Sequence, residues 1–193
     1  MTNAKLRKNS LLDNFSNMIY CTIGDICSKI YSGGTPSTKK TEFYNGEIPW
    51  LNTKEVKFNR IYRTERYISQ EGLENSSAKW VPRNSVIVAM YGATAGNVSI
   101  NEIPLTTNQA CCNLVIDPTK ADYRYIYYYL KNYNNKLKAL ANGAAQQNLS
   151  VGLIRNFSIK IPKLNYQKKV GSYLSSLDEK IRLNNLINDN LLN

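Results

Sequence analysis

Positive charge is the chemistry this chain carries most of. Lys54, Lys57, Arg60, Arg63 and Arg66 recur at a constant interval of three within KEVKFNRIYRTER. Upstream, the loop YSGGTPSTKK ends on Lys39 and Lys40 and offers hydroxyls at Thr35 and Ser37. Ammonium and guanidinium groups neutralise phosphates, and hydroxyls bond phosphate oxygens. The net charge of +11 and isoelectric point near 9.5 extend the same bias to the whole chain. An excess of this size favours a polyanionic partner, most often nucleic acid. A solvated charged face would give the same run of residues. Amides form a second group: Gln109 in TTNQACC, and Gln146, Gln147 and Asn148 in GAAQQNLS. Gln and Asn can bond adenine bidentately, and Tyr91, at the end of SVIVAMY, is a further candidate for a base edge. The same amides can instead cap neighbouring backbone.

Other chemistry is excluded by what is missing. The chain has no histidine, which removes imidazole acid–base catalysis and histidine metal sites. Glu42, Glu47, Glu55, Glu65, Glu71 and Glu74 are scattered singly among basic residues, with no clustering of the kind a Mg²⁺-dependent nuclease needs. There is no Walker motif, no Gly-x-Ser-x-Gly elbow, and no Asp/Asn-Pro-Pro-aromatic tetrad for gripping a target base. Gly92 to Gly96 has neither P-loop nor dinucleotide spacing. Cys21, Cys27, Cys111 and Cys112 make no metal or disulfide framework and read as reduced structural thiols. No catalytic residue, metal site or cofactor of its own is expected. No apolar run reaches the ~18 residues of a membrane span, and the first residues lack a signal-peptide core, so the expected compartment is cytoplasmic.

These side chains need a scaffold, and the patterning predicts an α+β one: a mixed β-sheet with short helices, followed by a long coiled-coil-type helix. Residues 1–18 read as a loose arm, 19–162 as one globular domain and 163–193 as the helix. Ser85 to Tyr91 is the clearest strand, being apolar and β-branched. Thr106 to Ile116 reads as another strand, and Ile154 to Ile161 alternates as a half-buried strand does. Tyr123 to Leu140 has helical spacing. Lys54 to Arg66 is either a helix presenting a basic stripe or an irregular segment that concentrates the same charge. Gly33 and Gly34 permit positive φ in their loop. After Pro162, Asn165 can cap a helix that continues to Leu192. Val170, Leu174, Leu177 and Ile181 form a heptad seam, which then meets Asn184 and Asn188. A helix of roughly 40 Å cannot bury its own stripe and needs a partner.

The ordered series SGGTPS, YNGEIPW, TERYISQEGLENSSAK, VIVAMYGATAG, TTNQACC, YIYYYL, NGAAQQNLS, NFSIKIP and LDEKI resembles the DNA-specificity subunit of Type I restriction–modification systems, from about Cys21 to Asn190. The resemblance implies a non-catalytic subunit whose target-recognition domain reads double-stranded DNA. It implies that the long helix spaces two such domains and docks methyltransferase (modification) subunits. S-adenosylmethionine then belongs to those partners, and ATP with Mg²⁺ to the restriction subunit. Usual members carry two recognition domains and two conserved helices, whereas this chain has one of each. A half-length form pairing with itself through Val170, Leu174, Leu177 and Ile181 is therefore expected. Two other readings are open: a protein-interaction module that occupies methyltransferase subunits without reading DNA, and an enzyme with an unrecognised carboxylate site.

Overall fold

The computed structural model describes residues 18–142 and 148–191. Its centre is a five-stranded sheet with strands in the order β2 (Cys27–Ser32), β10 (Cys111–Ile116), β7 (Val86–Ala89), β8 (Val98–Asn101) and β4 (Arg60–Ile61). All neighbours are antiparallel except β4 and β8, which run parallel. The central strands are apolar on both faces because the sheet is covered on both. Val86, Val88, Met90, Val98, Ile100, Cys112 and Leu114 face one buried cluster, while Ile87, Ala89 and Cys111 face another. Successive strand residues point to opposite faces, so adjacent Cys111 and Cys112 enter different cores. All four cysteines are free thiols, and burial pushes Cys27 and Cys112 up to about 12, which keeps them inert.

On the first face lie helices α2 (Tyr123–Asn132), α3 (Asn134–Asn142) and α4 (Val151–Arg155), contributing Ile126, Leu130, Leu137 and Ile154 to the core. On the second lies a four-stranded sheet in the order β5 (Arg66–Ile68), β3 (Ile48–Leu51), β9 (Leu105–Thr107) and β6 (Trp80–Val81). A short helix, α1 (Gln70–Glu74), capped by Ser69, follows β5. A two-stranded ribbon of β1 (Ile19–Thr22) and β11 (Ser158–Ile161) brings the chain to α5 (Leu164–Leu191). The result is an α+β fold of three layers with a long helix leaving it. Among the described residues no helix is long and apolar enough to cross a membrane.

Four local expectations change, and one open alternative is settled. The strand read over Ile154–Ile161 begins only at Ser158, because Ile154 and Arg155 close α4. The helix read over Tyr123–Leu140 is two helices that break at Tyr133, where the chain turns to pack α3. The strand read over Thr106–Ile116 is also two, β9 and β10, in different sheets with Asn108–Ala110 between them. The basic run Lys54–Arg66 is the irregular option: a 3-10 turn, then β4, bends and the start of β5. Helix α5 begins at Leu164, so Asn165 lies inside it; the amide that ties down its start is buried Gln167, donating to the Pro162 carbonyl at 2.8 Å.

Candidate nucleic-acid interface

Strand register gathers most of the candidate residues at one end of the two sheets. Ser32 at the end of β2 pairs with Cys112 near the start of β10, and Cys111 pairs with Ala89 at the end of β7. The Ala89 N–H reaches Asn97 just before β8 at 2.9 Å. The loops after Ser32, before Cys111 and after Ala89 therefore share one end. The Asn108 N–H donates to the Leu51 carbonyl at 3.0 Å, and Asn97 Nδ2 donates to the Val56 carbonyl at 3.1 Å. These two bonds place the segment Asn52–Val56 across the same end. Leu149 completes it by donating to the Met90 carbonyl at 3.0 Å, which sets exposed Asn148 near Tyr91.

The loop carrying Thr35, Ser37, Lys39 and Lys40 is held tightly. Gly33 and Gly34 are there for close approach and not for positive φ, which among the described glycines belongs to Gly92 and Gly96. A Cβ on Gly33 would stand 2.1 Å from the Thr107 carbonyl oxygen, and one on Gly34 2.2 Å from the Ser77 carbonyl carbon. The Trp50 indole N–H donates to the Gly34 carbonyl at 3.0 Å, and Tyr44 Oη donates to the Pro36 carbonyl at 2.7 Å. Thr35 donates its hydroxyl to the Gln109 amide oxygen, so these two candidates are joined. Ser37, Lys39 and Lys40 are exposed, with the Lys40 ammonium over the Phe43 ring at 4.7 Å. Arg66, opposite Trp50 in the ladder, lies over the Tyr44 ring at 4.7 Å and near that of Trp50. A guanidinium held on aromatic faces keeps its N–H fork free for a bidentate acceptor.

Lys54 lies within the 3-10 turn Thr53–Glu55, which Asn52 and Glu55 close as a capping box. Lys57 follows it and, with Arg63, also lines a groove that Arg60, Arg182 and Leu186 share on the α5 side. Lys54 pairs with Glu65 at 2.5 Å, both well exposed, a contact that a stronger anion can displace. Glu65 is itself fixed by its N–H donating to buried Glu55 at 2.9 Å. Tyr44 does not stand out in sequence; its bond to Pro36 and the Arg66 guanidinium over its ring place it here. Arg63 is exposed and lines a shallow groove with Glu55 and Glu65. Tyr91 is exposed at the start of its turn, and Gln109 at the tip between β9 and β10. Gln146 and Gln147 lie outside the described residues.

Arg60 lies apart from these loops. Its guanidinium is ion-paired with Glu102, with side chains only 12% and 11% exposed, and donates to Ser175 on α5 at 2.8 Å. Register explains this: Arg60 sits opposite Ile100, at the far end of β8 from the loops. It belongs to the joint between the globular layers and α5. In the same joint Tyr128 donates to Asp178 at 2.7 Å, buried Gln167 accepts from the Asp122 N–H at 3.1 Å, and Gly171 meets the start of α2. Arg182 pairs with Glu179 and lies over the Tyr62 ring at 5.2 Å. Of the seam positions, Val170 and Leu174 are half-buried, while Leu177 and Ile181 are 41% and 58% exposed. Beyond them Leu183, Leu186 and Ile187 are exposed too. Among the described residues no group of acids and cysteines is placed to hold a metal.

Known proteins are similar to this chain in sequence and fold. The type I restriction enzyme MjaIX specificity subunit of Methanocaldococcus jannaschii is 30% identical over 157 residues, 79% of this chain and 36% of that protein. The EcoR124I/EcoR124II specificity subunit of Escherichia coli is 30% identical over 163 residues, covering 81% and 40% respectively. The chain thus spans well under half the length of these curated relatives. Among solved structures, the HsdS subunit from Thermoanaerobacter tengcongensis superposes with a TM-score of 0.64 at 16% identity, over 86% of this chain and 38% of that one. The Type-I restriction-modification system S subunit from M. genitalium gives 0.67 at 19%, over 94% and 44%. At such identities the likeness is one of fold. The family model described as Type I restriction modification DNA specificity domain matches residues 16–193. With that match covering nearly the whole chain, it belongs to the Type I restriction modification DNA specificity domain family.

Proposed function

We propose that this chain is a sequence-reading, non-catalytic DNA-binding subunit of a Type I restriction–modification complex, acting in the cytoplasm, with residues 19–162 as its target-recognition domain. The observation that carries the reading is the convergence at one end of the sheets. Basic side chains there alternate with amides and a tyrosine on loops whose backbones are pinned. Lys39, Lys40, Lys54, Lys57, Arg63 and Arg66 are the phosphate contacts; Gln109, Tyr91 and Asn148 face base edges; Thr35 and Ser37 shape or contact through the glycine loop. Methyl transfer and ATP hydrolysis belong to methyltransferase and restriction subunits, and α5 is the docking arm for the methyltransferase subunits.

Duplex binding measured by fluorescence anisotropy against salt concentration tests it. Each lost phosphate contact lowers the slope of log K against log salt by about 0.9. The Lys39→Ala/Lys40→Ala pair should therefore flatten it by about two units. Gln109→Ala should relax preference among sequences and leave the slope in place. Salt-independent or absent duplex binding would sink the reading. The exposed distal apolar residues of α5 favour a second role in the same complex, pairing with another helix.

A further inference from the structure

A second positive surface runs along the sheet edges beside the glycine loop, whose Gly34 packs on Ser77 and Ala78 just before Lys79. It is a groove of about 500 Å³ between the free edges of the two sheets, β2 on one side and β6 on the other. Lys29 from β2, Lys79 from the loop before β6 and Arg155 from the end of α4 converge on it, and its lining contains no carboxylate. None of the three cations has an ion-pair partner among the described residues. Trp80 forms one wall with 48% of its surface exposed. Tyr31 Oη donates to the Trp80 carbonyl at 2.7 Å, so the indole's backbone is fixed across the gap between the sheets. An exposed, pre-positioned tryptophan among unpaired cations is an unspent binding surface: Trp, Tyr and Arg are the side chains that dominate interface energies.

We infer that this groove is a docking site for an acidic, aromatic-containing segment of another protein chain. Addition of a strand to β2 is disfavoured, because Ser28 is an extra residue where the β2–β10 register shifts, and Lys29 stands on the edge. Recognition therefore goes through side chains: carboxylates to Lys29, Lys79 and Arg155, and a ring to Trp80. The groove is concave and takes an extended segment; it does not fit the convex cylinder of a duplex. Potential complementarity of this kind steers a partner and fixes its register.

The indole gives a direct readout. The chain has two tryptophans, and Trp50 is buried at 3% exposure, so ligand-dependent emission comes from Trp80. The full chain is titrated with a short peptide alternating Glu and Phe, and separately with oligodeoxythymidine of equal length, at physiological salt. The peptide should shift the emission saturably. Lys79→Glu and Arg155→Glu should each weaken it roughly tenfold by reversing the complementarity. Duplex affinity should be unchanged in Arg155→Glu, and circular dichroism should show both variants folded. No saturable shift with the peptide, peptide binding indifferent to both reversals, or tighter binding of the oligonucleotide each overturns the proposal.

Discussion

Arg60 and Arg66 share one basic run and one spacing, and the fold gives them opposite work. Arg60 is committed to Glu102 and Ser175 at the root of α5; Arg66 lies over Tyr44 and Trp50 at the loop end of the sheets. Breaking a buried ion pair costs about 3–5 kcal/mol, and Arg83, on the other Glu102 oxygen at 3.1 Å, relieves part of that. Arg60→Ala should therefore lower the thermal midpoint by several degrees in calorimetry and leave the salt slope of DNA binding as it was. Lys39→Ala/Lys40→Ala should do the reverse. A salt slope that falls in Arg60→Ala would return Arg60 to the DNA contacts. Gly34 makes a second residue-scale case. A methyl there meets Ser77 backbone at 2.2 Å, and overpacking of that kind costs about 1–3 kcal/mol. Gly34→Ala should weaken duplex binding by displacing the loop that carries Lys39 and Lys40, and hydrogen exchange over residues 35–40 should rise with it. The charge of these residues was legible in the sequence. Their separation was not, because it depends on which strand each joins, and β4 and β5 join different sheets.

At the scale of elements, legibility follows how local the cause is. Strand β7 is evident from its apolar, β-branched run, and α5 from its periodicity after Pro162. Asn108–Ala110 looks continuous with the strands on either side; only pairing to different partners divides β9 from β10. Docking of α5 was likewise hidden, since it uses polar side chains off the apolar seam: Gln167, Ser175 and Asp178, with Gly171 allowing the close approach. This joint has a pH signature. Burial, and then the Asp178 carboxylate that takes its hydrogen bond, push the Tyr128 phenol up to about 12. The folded state favours the neutral phenol. Its contribution is complete below the ordinary tyrosine value of about 10 and is lost as pH rises from there through about 12. Urea denaturation followed by circular dichroism should show stability falling across that window. Tyr128→Phe should be less stable at pH 8 through loss of the Asp178 bond, and should lose less than the parent between about pH 10 and 12. Tyr125, also pushed up to about 12 by burial first, keeps some slope in the variant. An identical fall in both proteins would remove Tyr128 from the linkage.

At the scale of the molecule, we propose that the distal part of α5 is covered by a second copy of the chain. The helix has 28 residues, about 40 Å at ~1.5 Å each, and its first half is spent on the joint. From Leu177 onward Leu177, Ile181, Leu183, Leu186 and Ile187 are exposed on an otherwise polar helix. A second copy would supply the simplest cover, because a two-fold axis makes one stripe serve both sides. Asn184 and Asn188, on the heptad after Ile181, would set the register at some cost in stability. Two recognition ends carried by antiparallel helices of this length would meet DNA about one helical turn apart. A symmetric dimer then reads symmetric half-sites, so the expected target is an interrupted palindrome. Leu177→Asp places a charge in the proposed seam at a position outside the domain core. It should leave the thermal transition of the globular layers in place and convert the dimer to monomer in sedimentation, alone or with methyltransferase subunits present. Methylation mapping in cells whose single specificity subunit is this chain should return a gapped, palindromic motif, and the Leu177→Asp variant should lose it. A parent that sediments as a monomer in both settings, or an asymmetric two-part motif from this chain alone, would rule the arrangement out.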